Sequence, residues 1–374
     1  MVDIKCPGCG GSLVFDPGSK KLVCEYCGGS YDPDALGYRS EEEIPDKPEF
    51  MDANQYVCNS CGASIFVSPT EASSHCVYCG SPSIAFSKLT RIKRPETILP
   101  FKITKDDAAA RIKEKFKSGA FIPKVIRDCK IEDVRGIYIP YWIMNVKASG
   151  DFLYSGAVGS GDDKVTYYYT RSGSGEYQGI AMDSSRLFPD EISAYLEYDM
   201  KDLVPFNESY LSGFYSDIFD VEKEEIIPRA KYTAAMRLNE SLASSVQASS
   251  VHPIAAHVDT ELTSEVVPAM LPAWFFSVSY KGKPYTIIVN GQNGAVTGSV
   301  PFDSSKVAIF VVLISLVATA LMYLINPIGL SFQAGAFFVL FFGVLAWVLM
   351  LNATNRIKKG TSKATLNYMR RRQQ

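Results

Sequence analysis

Eight of the nine cysteines in this 374-residue chain fall in four Cys-x-x-Cys pairs, a spacing typical of metal sites. Fourteen residues separate the first pair from the second, and fourteen separate the third from the fourth. A glycine follows every pair, and its free backbone lets amide groups turn toward the sulfurs. We therefore predict two sets of four metal ligands: Cys6, Cys9, Cys24 and Cys27, then Cys58, Cys61, Cys76 and Cys79.

Four thiolates close a tetrahedral site, for which zinc is the default ion and iron the chemical runner-up. The sequence therefore predicts two zinc ions. No ligand position stays open for water, so we expect the metal to stabilise the fold rather than to catalyse a reaction. Each ion should contribute on the order of 10 kcal/mol to folding.

The other residues form no persuasive catalytic group. His75 adjoins Cys76, but four cysteines already complete that site. Cys129 is interpreted as a packing thiol, because no adjacent histidine would activate it. The chain lacks a nucleophile elbow, a phosphate-binding loop and a dinucleotide fingerprint. We expect a protein that is not an enzyme.

Each cysteine set has to be positioned by small β-hairpins, which predicts two zinc ribbons. β-Branched and aromatic residues lie between the pairs, as in Leu-Val-Phe at 13–15 and Ile-Phe-Val at 65–67. We place the first ribbon at residues 1–30 and the second at 55–90. Residues 31–54 hold eight acids and two bases, which predicts an acidic linker.

Residues 95–300 read as a mixed α+β region with two related halves, at about 95–200 and 201–300. Ile-Leu-Pro-Phe at 98–101 is similar to Leu-Val-Pro-Phe at 203–206. A Pro-Tyr-Trp motif in the first half likewise matches a Pro-Ala-Trp motif in the second. The duplication predicts a strand, a helix and a meander in each half.

Local patterns in the first half predict particular elements. A capping pattern at Thr104 predicts a helix that ends near Ser118. The continuously apolar residues 136–144 predict a strand buried on both faces. Aromatic and β-branched residues continue to about residue 177 and predict antiparallel hairpins.

Two uncharged apolar stretches, at residues 307–325 and 328–351, are each long enough to span a bilayer as a helix. We predict a two-helix transmembrane hairpin, and the fold class is then an α+β multidomain protein with twin ribbons and a membrane anchor. Residues 352–374 carry seven bases and no acid, which predicts a cytoplasmic tail at the inner membrane. An even number of crossings places the N-terminus in the cytoplasm too. The predicted lipid-headgroup contacts are Arg356, Lys358, Lys359, Lys363, Arg370, Arg371 and Arg372.

The formal net charge is −2, and because the tail contributes seven positive charges, the residues before it sum to −9. This balance argues against wholesale nucleic-acid binding. One basic run after the second ribbon keeps nucleic-acid binding open as the alternative function. Its members are Lys88, Arg91, Lys93 and Arg94.

The twin ribbons, the Ile-Tyr-Ile-Pro-Tyr-Trp and Leu-Pro-Ala-Trp strands and the Asn-Gly-Gln-Asn-Gly turn resemble a bacterial family of membrane-bound zinc-ribbon proteins. Members are often labelled as transcription-factor-IIB-type ribbon or primosomal-helicase-like proteins. The resemblance implies a membrane-stress locus that contains a flotillin-like (SPFH-domain) protein and a phage-shock-protein-A-like scaffold. No helicase motif is present in this chain.

From the residues and the resemblance we expect a non-enzymatic, membrane-anchored adaptor. Its ribbons and α+β region would recruit SPFH/flotillin-like or phage-shock-protein-A-like partners to the inner membrane, and a homo-oligomer is compatible with the sequence. The alternative is a membrane-tethered nucleic-acid-binding protein, with nucleic acid the less favoured partner.

Overall fold

The fold was analysed in a computed structural model of the whole chain. The residues described are 4–36, 49–60, 62–67, 76, 78, 81, 84–118, 121–129, 131, 134–159, 163–186, 188, 196–281, 283–298, 301, 303, 305–307, 309, 310, 313, 316, 317 and 320.

Strands make up most of the described secondary structure. In chain order they are β1 (Leu13–Asp16), β2 (Lys21–Cys24), β3 (Ser30–Tyr31), β4 (Phe50–Cys58), β5 (Ser64–Val67), β6 (Ile84–Lys93), β7 (Thr97–Ile98), β8 (Arg135–Val158), β9 (Val165–Asp183), β10 (Val204–Pro205), β11 (Tyr215–Ser216), β12 (Ser249–Leu262), β13 (Val267–Tyr280), β14 (Lys283–Asn290) and β15 (Val296–Gly298). The α-helices are α1 (Pro33–Leu36), α2 (Lys105–Ser118), α3 (Lys124–Arg127) and α4 (Lys223–Ser244).

Strands β1, β2 and β3 form a small sheet of their own, and the other twelve belong to one large sheet. Its main path runs β10-β7-β13-β8-β11-β5-β4-β6, with β9 and β12 also paired to β8, β14 to β13 and β15 to β14. The predicted α+β fold class is therefore wrong, because the described part of the chain is mainly β-sheet and has few helices. The stretch expected to be several short hairpins instead forms two strands of 24 and 19 residues, β8 and β9.

The two longer helices cover this sheet with apolar faces. In α2, the fully buried Ala108, Ile112 and Phe116 recur every four residues, which puts them on one helix face. In α4 a similar face packs against β8, β9 and β12. Its buried members are Ile226, Ala230, Ala234 and Leu238.

The two halves of the 95–300 region exchange equivalent hydrogen bonds. Trp274 on β13 donates its indole N–H to the carbonyl of Ile103 at 2.8 Å, two residues before α2. Trp142 on β8 donates to the carbonyl of Val221 at 2.9 Å, two residues before α4. Each half's tryptophan therefore positions the other half's helix.

Backbone pairing identifies the matching strands in the two halves. β7 lies parallel to β13, and β11 lies parallel to β8 in the equivalent position. In the second half, the segment that corresponds in structure to residues 98–101 is therefore the one at β11. Sequence similarity had instead matched residues 98–101 to residues 203–206. Residues 204 and 205 instead pair with β7 itself as β10.

Both ribbons pack onto the body of the protein. In the first ribbon, the ring of Phe15 lies 5.1 Å from that of Tyr210, and its backbone N–H donates to the Ser212 carbonyl at 3.1 Å. The second ribbon joins the large sheet because β5 pairs with β11. Its β4 already starts within the residues predicted as linker, so that linker is shorter than expected.

The predicted transmembrane hairpin, and the inner-membrane localisation that followed from it, are corrected. No helix among the described residues is both long and apolar enough to cross a bilayer. A span requires about 20 consecutive helical residues, and the apolar composition on which the prediction rested does not test helix continuity. Helical residues in 305–320 are described only singly or in runs of up to three, and 328–351 lie outside the described residues.

Replacing Phe15 with alanine should lower the free energy of unfolding by about 3–5 kcal/mol, because it empties a buried site between the ribbon and the body. Denaturant unfolding of the metal-loaded chain measures this. The control is Tyr26→Ala in the same ribbon, where the side chain is 87% exposed and the loss should stay below about 0.5 kcal/mol. Equal losses in the two variants would contradict the docking of the ribbon.

Candidate metal centre

The first four-cysteine set stands on two tight turns with the same hydrogen bonds. Cys6 N–H donates to the Gly11 carbonyl at 2.7 Å, and Gly10 N–H donates to the Cys6 carbonyl at 2.8 Å. The turn that starts at Cys24 repeats both bonds at 2.8 Å each. Gly10 and the equivalent Gly28 have φ of 75° and 73°, a conformation that favours glycine. The glycine after each cysteine pair is therefore needed for the turn.

The four sulfurs of this set lie together, with all of them within 4.8 Å of one another. Cys6 Sγ is 3.6 Å from Cys27 Sγ, and Cys9 Sγ is 3.5 Å from Cys24 Sγ. Sulfurs bound tetrahedrally at about 2.3 Å from an ion are roughly 3.8 Å apart. The group could therefore hold one metal ion, and the predicted first site is confirmed to that extent.

Hydrogen bonds around the cluster favour thiolates at its buried end. The Tyr31 hydroxyl, 3.4 Å from Cys6 Sγ, lowers the pKa of Cys6 to about 6. The pKa of Cys24 is also lowered, mainly because the backbone N–H of Cys27 donates a hydrogen bond to its sulfur. At Cys9 the N–H of Gly11 lowers the pKa, but the adjacent sulfurs outweigh it and the pKa rises to about 12. Such a cluster suits a cation that neutralises several thiolates at once.

The second set is described only in part. Cys58 N–H donates to the Ala63 carbonyl at 2.9 Å, and Gly62 N–H donates back to the Cys58 carbonyl at 2.7 Å, as in the first set. Cys76 N–H makes the equivalent bond to the Ser81 carbonyl at 2.7 Å. Cys58 and Cys76 are fully buried. The other two predicted ligands, Cys61 and Cys79, lie outside the described residues, so a second metal ion stays a prediction.

The basic run lies on and just after β6, and its described side chains contact aromatic rings. Arg91 lies over Phe50 with 5.7 Å to the ring centre, and Arg94 lies over Phe206 at 5.3 Å. Lys93 lies 5.5 Å from the ring of Trp142 and pairs with Glu49 at 3.3 Å. Only the backbone of Lys88 is described.

The remaining predicted positions contribute nothing to the cluster. Cys129 is half-buried against the main core, and burial raises the pKa of its thiol, which agrees with a packing role. The basic tail, with its seven predicted headgroup contacts, and His75 lie outside the described residues.

Sequence reasoning missed two tyrosines at the cysteine turns. Tyr31 contacts Cys6, as described above. Tyr78 lies between Cys76 and Cys79 in sequence, is 5% exposed, and donates a 2.6 Å hydrogen bond to the carboxylate of Asp217. For Tyr78 the available signal was that Tyr26 stands at the same place in the turn from Cys24 to Cys27, whereas no sequence pattern marked Tyr31.

A second carboxyl group lies near Asp217, just before α4. Burial raises the pKa of Asp220 from 3.8 to about 6, although the N–H of Arg186 donates to it at 2.7 Å and partly offsets the effect. The folded chain therefore keeps a proton on Asp220 where the unfolded chain has already lost it.

Replacing Cys9 and Cys27 together with serine should reduce the bound metal by one ion per chain, because two of the four thiolates of the first site are lost. Elemental analysis of the purified protein measures the ratio. Cys129→Ser is the matched control and should leave the ratio unchanged. An unchanged ratio in the double variant would contradict a metal at this cluster.

Asp220 should make the chain less stable as the pH rises from about 4 to about 6, since the folded state must release the proton that burial retains. Asp220→Asn should reduce this dependence, as measured by denaturant unfolding at several pH values, and the remainder belongs to Asp217, whose pKa burial also raises. The exposed Asp151→Asn should leave the slope unchanged. An identical slope in Asp220→Asn and in the wild type would rule out this assignment.

Comparison with known proteins finds one similar chain of note. The uncharacterized protein YdjG of Bacillus subtilis (strain 168) is 27% identical over 319 residues, which cover 82% of this chain and 92% of that protein. No family model matches the chain, and no solved structure matches it.

Proposed function

We propose that the chain is a non-enzymatic adaptor that binds other proteins and whose ribbons are stabilised by zinc. The observation that supports this best is the first cysteine cluster, where four sulfurs within 4.8 Å leave no ligand position for a substrate. A closed site of this kind stabilises structure instead of activating water.

The proposed cofactor is zinc, with one ion in each set of four cysteines. Four soft thiolates favour zinc, and iron is the chemical alternative. The second ion is supported by the turns at Cys58 and Cys76, which repeat backbone hydrogen bonds of the first ribbon. Elemental analysis that finds two zinc ions per chain would agree with the proposal.

The tip of the first ribbon offers a surface for a partner. Cys6 and Cys24 are buried toward the body, whereas the tips of both turns face outward. Tyr26, in the middle of the second turn, is 87% exposed. Because tyrosine brings a large rigid surface and a polar hydroxyl, it is enriched in protein interfaces.

The partners we propose are an SPFH/flotillin-like protein or a phage-shock-protein-A-like protein. This choice rests on the resemblance of the sequence to twin-ribbon proteins, and a homo-oligomer is compatible with it. The alternative partner, nucleic acid, loses support because three of the four predicted basic contacts already lie against rings of the chain itself. A cation held in this way is less available for phosphate.

Tyr26→Ala should weaken binding of the full chain to the SPFH-like protein of the same host about tenfold or more, as expected for a central aromatic contact. Biolayer interferometry with the purified proteins measures the dissociation constant. The control is Tyr232→Ala, since Tyr232 is also exposed but lies on α4.

Two results would count against the proposal. Absence of binding by the wild-type chain to both the SPFH-like and the phage-shock-protein-A-like protein would reject these partners. Steeply salt-dependent binding to DNA or RNA, lost when Arg91, Lys93 and Arg94 are reversed in charge, would favour the nucleic-acid alternative.

A further inference from the structure

The edge of β9 that faces away from β8 is a long backbone surface. From Val165 to Tyr177, thirteen consecutive residues of β9 pair with β8 without a register shift. Among the described strands, β9 has no other neighbour. Because alternate residues of an edge strand point their N–H and C=O groups outward, this segment presents a row of such groups over about 40 Å.

The opposite edge of this part of the sheet is protected against an added strand, whereas β9 is not. β12 carries Pro253 and two register shifts in its pairing with β8, and both features hinder the pairing of a further strand. Residues 165–177 contain no proline, and only Arg171 and Glu176 are charged. The side chain of Tyr168 is 70% exposed. A long, unprotected edge of this kind is a template for another strand.

Helix α4 covers only one face of β9. The odd-numbered residues of 167–177 share the face of β8 that packs against α4, and a Cβ atom at Gly173 would lie 3.0 Å from the side chain of Leu242. The even-numbered residues of 166–176 are all exposed on the other face. A strand that pairs with this edge therefore has to be polar on one face and fit beside α4 on the other.

The β9 edge of a second copy of the chain meets this requirement by symmetry. A two-fold axis perpendicular to the sheet pairs two β9 strands antiparallel and keeps each face on its own side. Odd-numbered residues then lie opposite odd-numbered residues of the second copy, and even opposite even. Arg171, the midpoint of the flat segment, cannot lie on the axis, because two arginines would face each other.

Ser172, next to this midpoint, gives the axis a complementary pairing. Tyr168 then lies opposite Glu176 of the second copy, so that its hydroxyl can donate to the carboxylate. Tyr169 lies opposite Gly175 of the second copy, where the missing side chain leaves room for the ring. Both pairs occur twice because of the two-fold symmetry. The paired segment runs from residue 167 to residue 177 and so stays within the flat part of β9.

The two copies of α4 leave room for this pairing. α4 packs against β12, β8 and β9 and therefore lies over β8, the middle strand of the three. In the joined sheet the two β8 strands are three strand spacings apart, which is roughly 14 Å. Packed helices need only about 8–10 Å between their axes, so the two helices do not collide.

We propose that the chain forms a two-fold symmetric dimer in which the β9 edges of two copies pair antiparallel about Ser172. The strands β12, β8 and β9 of each copy then form one continuous sheet of six strands. The pairing satisfies the outward backbone groups of both edges and requires neither the metal nor the partner of the proposed function. A dimer also carries two copies of the first ribbon, which an oligomeric partner can bind together.

Cysteine substitutions in the full metal-loaded chain test the register. Ser172→Cys places two thiols opposite each other, with about 5 Å between Cα atoms, so a disulfide-linked dimer should form in a glutathione redox buffer. Ser174→Cys and Thr170→Cys are the matched controls on the same exposed face. Their two copies lie roughly 13 Å apart along the strands and should stay unlinked. Non-reducing electrophoresis measures the linked fraction.

Charged substitutions test the same pairing without new cysteines. Ser172→Lys and Ser172→Glu each place like charges opposite each other and should weaken the dimer about fivefold or more. A mixture of the two variants should restore it, because lysine then faces glutamate. Ala255→Lys, on the exposed face of β12, is the control and should leave the dimer unchanged. Sedimentation velocity over a range of concentrations measures the dissociation constant.

Three results would overturn the proposed dimer. A wild-type chain that sediments as a monomer at every concentration has no such pairing. A dimer that neither Ser172→Lys nor Ser172→Glu weakens is joined through another surface. Linking through Thr170→Cys or Ser174→Cys, without linking through Ser172→Cys, refutes the register. Tyr26→Ala should remain dimeric, so failure of the dimer and failure of partner binding at the first ribbon are distinguishable.

Discussion

The large sheet depends on the hydrogen bonding of both edges of β8. On one edge β8 pairs with β13 and then with β12, and on the other with β11 and then with β9. A buried strand tolerates few unpaired backbone groups, so these neighbours have to be in register together. Two glycines mark close approaches to the strand. A Cβ atom would lie 2.4 Å from the ring of Phe214 at Gly136 and 2.4 Å from the His257 carbonyl at Gly150.

The two halves are packed so that each completes the other. The indole of Trp142 holds the start of α4, and that of Trp274 holds the start of α2, in both cases through a carbonyl two residues before the helix. A buried indole N–H without an acceptor would cost stability, so each tryptophan fixes the position of the other half's helix. The two halves thus share one sheet but bury two separate clusters, one with Trp274 and α2 and the other with Trp142 and α4.

The two ribbons show how one local motif serves two different environments. Their turns share the backbone hydrogen bonds at the first cysteine, which follow from the cysteine and glycine spacing. The tyrosine of the first ribbon faces outward, and that of the second closes the sheet core over Asp217. The first ribbon is anchored by its hairpin at Phe15 instead. This difference leaves Tyr26 exposed at the tip of the first ribbon.

The sequence by itself determined the features that depend on neighbouring residues. These are the turns at the cysteine pairs, the thiolate set at Cys6 to Cys27, and the helix from Lys105 to Ser118 with its apolar face. Tertiary structure decided what depends on distant partners. Three contacts join residues that are far apart in the chain: the long pairing of β8 with β9, the burial of Tyr78 beside Asp217, and the contacts of Arg91, Lys93 and Arg94 with aromatic rings. No local sequence pattern encodes contacts of this kind. Apolar composition at 307–325 likewise could not establish a continuous spanning helix, because hydropathy measures transfer to an apolar medium and not the structure that a segment adopts.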